Sequence, residues 1–212
     1  MPFSHNGRDE IVIVGGDCLT GHDPKTGKEL WRWGTWNPSR IGHWRLVPSP
    51  VSGKGVLLAC GPKGAPVFAI KAGAKGDVSE DKSSIAWHSE GRRDQVTSDV
   101  STPLFYRGNF YVLYGEGRDK ILSCVDPKSG KVKWSSDLES RSLFRGSPTG
   151  ADGKLYVQNH AGRVHVIDAK SGKVLHKTNM GDPGDDQTRA TIAVAHGNLF
   201  IRTNSRLYCI GS

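Results

Sequence analysis

Apolar residues fall along this chain in short runs broken by glycine, proline and charged residues, and no stretch keeps the spacing of an amphipathic helix. Four segments share one frame: Pro50 to Leu58 (PVSGKGVLL), Pro103 to Tyr111 (PLFYRGNFY), Pro148 to Tyr156 (PTGADGKLY) and Ile192 to Phe200 (IAVAHGNLF). In each, a glycine stands five residues after the first position, at Gly55, Gly108, Gly153 and Gly197, and Leu or Phe follows two residues later. These glycines are 53, 45 and 44 residues apart. A second frame runs in step with the first: HDPKTGKELW at 22–31, VDPKSGKVKW at 125–134 and IDAKSGKVLH at 167–176, with a longer, degenerate version from Ile70 to Trp87. Two frames recurring together define an internal repeat.

Each unit reads as four short strands, A to D. Strand A begins at a Ser/Thr-Pro step, as at Ser49-Pro50, Thr102-Pro103 and Ser147-Pro148. A tight turn at the glycine leads to strand B, and strand C alternates as in Arg163-Val164-His165-Val166-Ile167. The Lys-Thr/Ser-Gly-Lys turn then supplies the left-handed backbone position a hairpin requires, and strand D ends at the tryptophan. Four strands per unit of about 44 residues predict an all-β fold, a β-propeller of four-stranded antiparallel blades. The expected boundaries are a partial blade at 7–36, blades at 43–90, 96–138 and 142–180, and a partial blade at 186–212. In this reading unit one supplies only B, C and D, and unit five only A, B and C. The two ends then hold six strands, too many to merge into one blade, so the chain is expected to be part of a larger ring.

The pattern (I/V)-D-(P/A)-K-(T/S)-G-K-x-x-W, preceded by Ser-Pro and Gly-x-(L/F)-Y-V, resembles the pyrroloquinoline-quinone (PQQ) repeat. That family includes quinoprotein dehydrogenases and the outer-membrane assembly lipoprotein BamB. The resemblance covers nearly the whole chain. It implies a bacterial protein in the periplasm or cell envelope, and a ring of seven or eight blades of which this chain is the C-terminal part. Family dehydrogenases carry an adjacent Cys-Cys pair beside PQQ and a calcium ligand set. None of the four cysteines here are neighbours, and no calcium ligand set can be matched, so no catalytic residue, cofactor or metal is expected. PQQ with calcium belongs only to the alternative in which the chain is the C-terminal fragment of a PQQ-dependent alcohol or sugar dehydrogenase.

Composition narrows the remaining chemistry. The chain has 212 residues, 27 of them Gly and 11 Pro, which favours many tight turns in one domain. No apolar run approaches the roughly 20 residues of a membrane-spanning helix, and residues 1–16 show no signal-peptide pattern. Strand C aligns Gly21, Ala69, Cys124, Val166 and Cys209, so Cys124 and Cys209 read as small packing residues; no CxxC spacing suggests zinc. The segment Gly21 to Lys28 lacks the spacing and the Ser/Thr of a phosphate-binding loop, and Ser147 is misplaced for a nucleophile elbow. Asp182, Asp185 and Asp186 lack EF-hand spacing and read as a solvated loop.

Trp31, Trp87, Trp134 and His176 share one repeat position and are expected to dock each blade on the next. Strand alternation puts the A–B and C–D turns on one face and the long B–C and D–A connections on the other, where function concentrates. The segment Arg32 to Arg45 (RWGTWNPSRIGHWR) is its most distinctive part. Trp33, Trp36, His43, Trp44 and Arg45, with Arg92, Arg93, Phe144, Arg145 and Arg189 in later connections, are candidate contacts for a protein or peptide partner. The same aromatics could instead close the gap between two blades. The charge of +8 comes from 29 Lys and Arg against 21 Asp and Glu. It lies largely in the short turns, while the long-loop face sums to zero, which disfavours nucleic acid. The expected function is a non-catalytic scaffold that binds a partner through its long loops, with self-association through open end blades a further expectation. A carbohydrate-binding face is the third alternative.

Overall fold

A computed structural model describes every residue of the chain except Thr35, Pro38, Arg40, Ile41, His43, Trp44, Arg45, Asp186 and Ser212. The described residues form an all-β fold of five sheets, antiparallel but for one short edge strand, with a single 3-10 turn at Lys82–Ser84. Sheet I holds β1 (Pro2–His5), β2 (Arg8–Val14), β3 (Leu19–His22) and β4 (Glu29–Trp33). Sheet II holds β5 (Val51–Gly53), β6 (Val56–Cys60), β7 (Val67–Lys71) and β9 (Ile85–His88). Sheet III holds β10 (Leu104–Tyr106), β11 (Asn109–Tyr114), β12 (Ile121–Val125) and β13 (Val132–Asp137). Sheet IV holds β14 (Thr149–Ala151), β15 (Lys154–Gln158), β16 (Arg163–Asp168) and β17 (Val174–Asn179), and sheet V holds β18 (Ala193–Ala195), β19 (Asn198–Arg202) and β20 (Leu207–Ile210).

Two features differ from the sequence reading. The first unit has an A strand: β1 pairs with β2 from Pro2↔Ile11 to His5↔Arg8 across an Asn6-Gly7 turn. Pro2 and Gly7 keep the repeat spacing, but Asp9 and Glu10 stand where the other units place two large apolar or aromatic residues, and this hides the hairpin. The long connection of sheet II also contributes β8 (Gly76–Asp77), which pairs in parallel with β4 and adds a fifth strand to sheet I.

The core lies between successive sheets. Leu57 and Ala59 of β6 point toward sheet I, while Val56, Leu58 and Cys60 point toward sheet III. In the same way Phe110 and Val112 face sheet II, and Tyr111 and Leu113 face sheet IV. With both faces covered, β6 and β12 have no exposed residue, which is why they read as continuous apolar runs and not as alternation. The same two-sided burial accounts for the short apolar runs that hide any period along the chain.

The repeat motifs acquire physical roles in this arrangement. Asp126 accepts hydrogen bonds from the N–H of Lys128 and of Ser129 and from the Ser129 hydroxyl, at 3.0, 3.1 and 3.0 Å. Asp23 and Asp168 close their turns in the same way. These donors, the Ser129 N–H foremost, hold the Asp126 carboxyl down at about 2. Gly130 and Gly172 follow with φ of 72° and 76°. A Cβ at Gly130 would come within 2.6 Å of the Trp87 ring, and one at Gly172 within 2.5 Å of the Trp134 ring. Glycine therefore serves twice, for the turn and for the close approach of the preceding sheet's tryptophan.

The Ser/Thr-Pro step also has a tertiary role. The N–H of Ser49 donates to the Thr102 hydroxyl, that of Thr102 to the Ser147 hydroxyl and that of Ser147 to the Thr191 hydroxyl, each at 3.0 Å. This belt ties sheets II to V together where their A strands begin. The hydroxyls supply an acceptor at a point where strand A has not yet begun to pair.

Candidate functional site: the long-loop face

The residues that open each A strand carry the belt outward into the long-loop face. Val47, Val100, Arg145 and Arg189 each lie three residues before the first position of their repeat frame. With Thr102 they line one cavity of about 550 Å³. Arg145 is half-buried and pairs with Glu116 at 2.7 Å. Arg189 is exposed and donates to the Gln187 side-chain oxygen at 3.3 Å. The cavity thus combines two valines, a hydroxyl and two guanidinium groups, of which only Arg145 has a carboxylate partner among the described residues.

The structure divides the candidate contacts into three groups. Trp33, Trp36 and Phe144 are 5%, 8% and 0% exposed, so they are core residues and cannot meet a partner. Trp33 packs on Phe68 with ring centroids 4.9 Å apart and on Trp36 at 5.6 Å, closing the gap between sheets I and II. Phe144 packs edge-on to His165 at 5.3 Å. The physical reason is size: a long connection leaving a sheet must plug the widening space between blades, and large aromatics fill it. Arg92, Arg93, Arg145 and Arg189 form the second group and remain at the surface, with Arg92 lying across Gly64 of the neighbouring loop. His43, Trp44 and Arg45 lie outside the described residues.

Among the expected docking residues, Trp87 and Trp134 lie on the glycine of the next sheet's turn, as above. Trp31 is 1% exposed and donates its indole N–H to Glu10, a buried carboxylate that also pairs with Arg8. His176 departs from the expectation. It is exposed on β17.

Several polar residues carry weight that repeat reading misses. Asp185 is 7% exposed and accepts from the N–H of Asp182 and of Asn204, at 2.7 and 3.1 Å. It pins its loop to sheet V, and the Asp182 N–H, with the other donors, lowers its pKa. This is an anchor and not the solvated position expected of the acidic loop. Lys120, 4% exposed, donates its ammonium to the carbonyls of Gly117 and Arg118 and shapes the loop of sheet III. His165 is fully buried, with Nε2 3.1 Å from the Leu138 carbonyl oxygen, and burial pushes its pKa down to about 4. No group of three His, Cys, Asp or Glu side chains converges on a point among the described residues.

Five successive sheets, the last four tied where their A strands begin, with Asp-x-Lys-Ser/Thr-Gly turns repeating along the chain, define a β-propeller of PQQ-like repeats. The chain belongs to the family described as outer membrane protein assembly factor BamB, which matches residues 15–211. No curated protein matches the sequence. Among solved structures, BamB from Moraxella catarrhalis is similar at 13% identity and a TM-score of 0.63, covering 91% of this chain and 50% of its own. The quinohemoprotein alcohol dehydrogenase of Comamonas testosteroni gives 13% identity and a TM-score of 0.72, covering 99% of this chain and 40% of its own. The computationally designed Ika4 protein gives 13% identity and a TM-score of 0.59, covering 87% of this chain and 99% of its own. This chain therefore spans half or less of the two natural proteins. At these identities the likeness concerns the fold, and no helix of the chain is long and apolar enough to cross a membrane.

Proposed function

We propose that this protein is a non-catalytic propeller that presents its long-loop face to a protein or peptide partner, as a scaffold or assembly factor of the bacterial envelope. The observation that carries the reading is the cavity bounded by Val47, Val100, Arg145 and Arg189. These residues occupy one repeat position yet change from apolar in the first two units to cationic in the last two, so packing of the repeat does not dictate them. Two apolar side chains, with a guanidinium that has no carboxylate partner among the described residues, suit a peptide that brings an aliphatic side chain and an acidic group. Family membership supports the assembly role and the extracytoplasmic location, since the family is described by an outer-membrane assembly factor. The dehydrogenase reading is less well supported, because neither a vicinal cysteine pair nor a converging ligand set stands among the described residues. A sugar platform is weakened by the burial of Trp33 and Trp36.

The test is site-specific photo-crosslinking in the native cell envelope. A photoreactive residue at position 92 or 189 should trap one defined partner, and one at Lys128 on the opposite face should trap none. Adducts at 128 with none at 92 or 189 would reverse the assignment of faces. Calorimetry with PQQ and Ca²⁺ is the companion measurement: no saturable heat is expected, and micromolar binding would restore the dehydrogenase reading.

A further inference from the structure

The opposite face, with its minimal turns, holds a second cavity of about 350 Å³ between sheets III and IV. Arg107, Lys133 and Lys170 are its charged lining groups, with Asn109, Tyr111 and Cys124 around them. Lys133 donates to the Asn109 side-chain oxygen at 2.7 Å and lies 3.3 Å from Asp126, which offsets part of its charge. Arg107 rests against the Tyr106 ring, 5.8 Å from the centroid. Burial pushes the Tyr111 phenol up to about 12 and raises the Cys124 thiol, so both stay protonated and neutral.

The repeat itself is the control that separates packing from binding. Sheet register aligns this interface with the one between sheets II and III, position by position. There Val56 stands for Asn109, Leu58 for Tyr111, Ala69 for Cys124 and Ala86 for Lys133. Tyr111 belongs to the repeat's own Gly-x-(L/F)-Y-V pattern and recurs as Tyr156, but Asn109 and Lys133 are matched there by apolar Val56 and Ala86, so packing does not require the polar character of those two. The polar version also carries a cost. Trp87 donates its indole N–H to the Pro127 carbonyl at 2.8 Å. At the next interface the Tyr111 hydroxyl takes the equivalent Ala169 carbonyl at 3.0 Å, and the Trp134 indole nitrogen is buried with no hydrogen-bond partner. A buried donor without an acceptor forfeits the hydrogen bonds it would make to water in the unfolded chain, and so destabilises the fold. Local rules broken at one repeat and obeyed at its neighbour mark a position held for something other than stability.

We propose that this cavity binds a small phosphate-bearing ligand, with Arg107, Lys133 and Lys170 converging on the anion and Asn109 positioning Lys133. Three separate cations exceed what one carboxylate needs, whereas a phosphate offers several acceptor oxygens and up to two charges. The site is independent of the long-loop face and of any partner bound there.

Calorimetric titration of the whole chain with pyrophosphate, and separately with inorganic phosphate, at low ionic strength tests the site. Saturable one-to-one binding of at least one of them is expected. Lys133→Ala and Asn109→Val, which copy Ala86 and Val56, should each fold normally and weaken that binding at least tenfold and threefold respectively. Lys128→Ala, at the position matching Lys170 in the neighbouring interface, should leave it unchanged. Absence of saturable binding of both probes, or equal weakening by Lys128→Ala and Lys133→Ala, would overturn the proposal, the latter by showing diffuse surface charge. Binding of inorganic phosphate would assign the free ion, and binding of pyrophosphate alone would assign a larger phosphorylated ligand.

Discussion

Sheets III and V carry the same repeat with opposite consequences. Leu122 and Leu207 occupy one position in strand C, yet Leu122 is 0% and Leu207 69% exposed. Cys124 and Cys209, two residues further on, are buried and exposed in the same way. Among the described residues sheet III has a neighbour on each face, whereas sheet V packs on one face, against sheet IV, through Tyr156, Val164, Ile192 and Ile201. The lesson is that the strand pattern encodes pairing within a blade, and the neighbouring blade decides what a given side chain contributes to stability.

Truncation should expose that difference most directly. Leu122→Ala should destabilise the protein by about 2–5 kcal/mol in denaturant unfolding, the range for a fully buried leucine. Leu207→Ala should change stability by no more than about 0.5 kcal/mol, as an exposed position does. Equal losses at the two positions would mean that the outer face of sheet V is covered in solution, and the contrast would fail.

Titration should sharpen it with a smaller effect. His165, inside sheet IV, has a folded pKa of about 4, below its ordinary value near 6.5, because burial disfavours the cation. As pH falls below 6.5 the unfolded chain takes up a proton that the folded chain refuses. The stability present above pH 6.5 should therefore decline toward pH 4, by about 3 kcal/mol in all. His165→Gln should flatten that part of the profile, and an unchanged slope would place the titration elsewhere. Below pH 4 a further decline should follow as Asp126 and its counterparts, whose pKa values are lowered, take up protons.

The smallest effect is chemical. A thiol reagent under native conditions should modify Cys209 rapidly and leave Cys60 and Cys124 untouched until unfolding. Burial protects both and raises both thiols. Labelling of Cys124 at the rate of Cys209, followed by mass spectrometry of peptides, would show sheets III and IV opening.

Much of the fold was legible because the repeat is written in residues with fixed geometric duties. Asp, Ser or Thr, and Gly at set offsets can only close one kind of turn, and Ser/Thr-Pro marks the start of strand A. The hairpin at Pro2–His5 was not legible, because charged residues occupy its apolar positions, and β8 was not, because Gly76 and Asp77 have no strand character of their own. The site was legible only in part. Arg92, Arg93, Arg145 and Arg189 are at the surface as read, but Trp33, Trp36 and Phe144 are not. A Trp-rich loop looks the same in sequence whether its rings meet a partner or plug a wedge between sheets. The cavity at Arg107, Lys133 and Lys170 was hidden among lysines that are evenly dispersed along the sequence.

What the sequence determined by itself is therefore the local layer: strand lengths, turns, the order of strands within each blade and the number of repeats. Those properties follow from backbone conformations that a few adjacent residues set. What only the tertiary structure decided is which faces are covered, where the hydroxyl belt runs and which cations converge. Each of these depends on side chains some 45 residues apart meeting across the space between two sheets, as Thr102 meets Ser147, and nothing in either segment alone specifies that meeting.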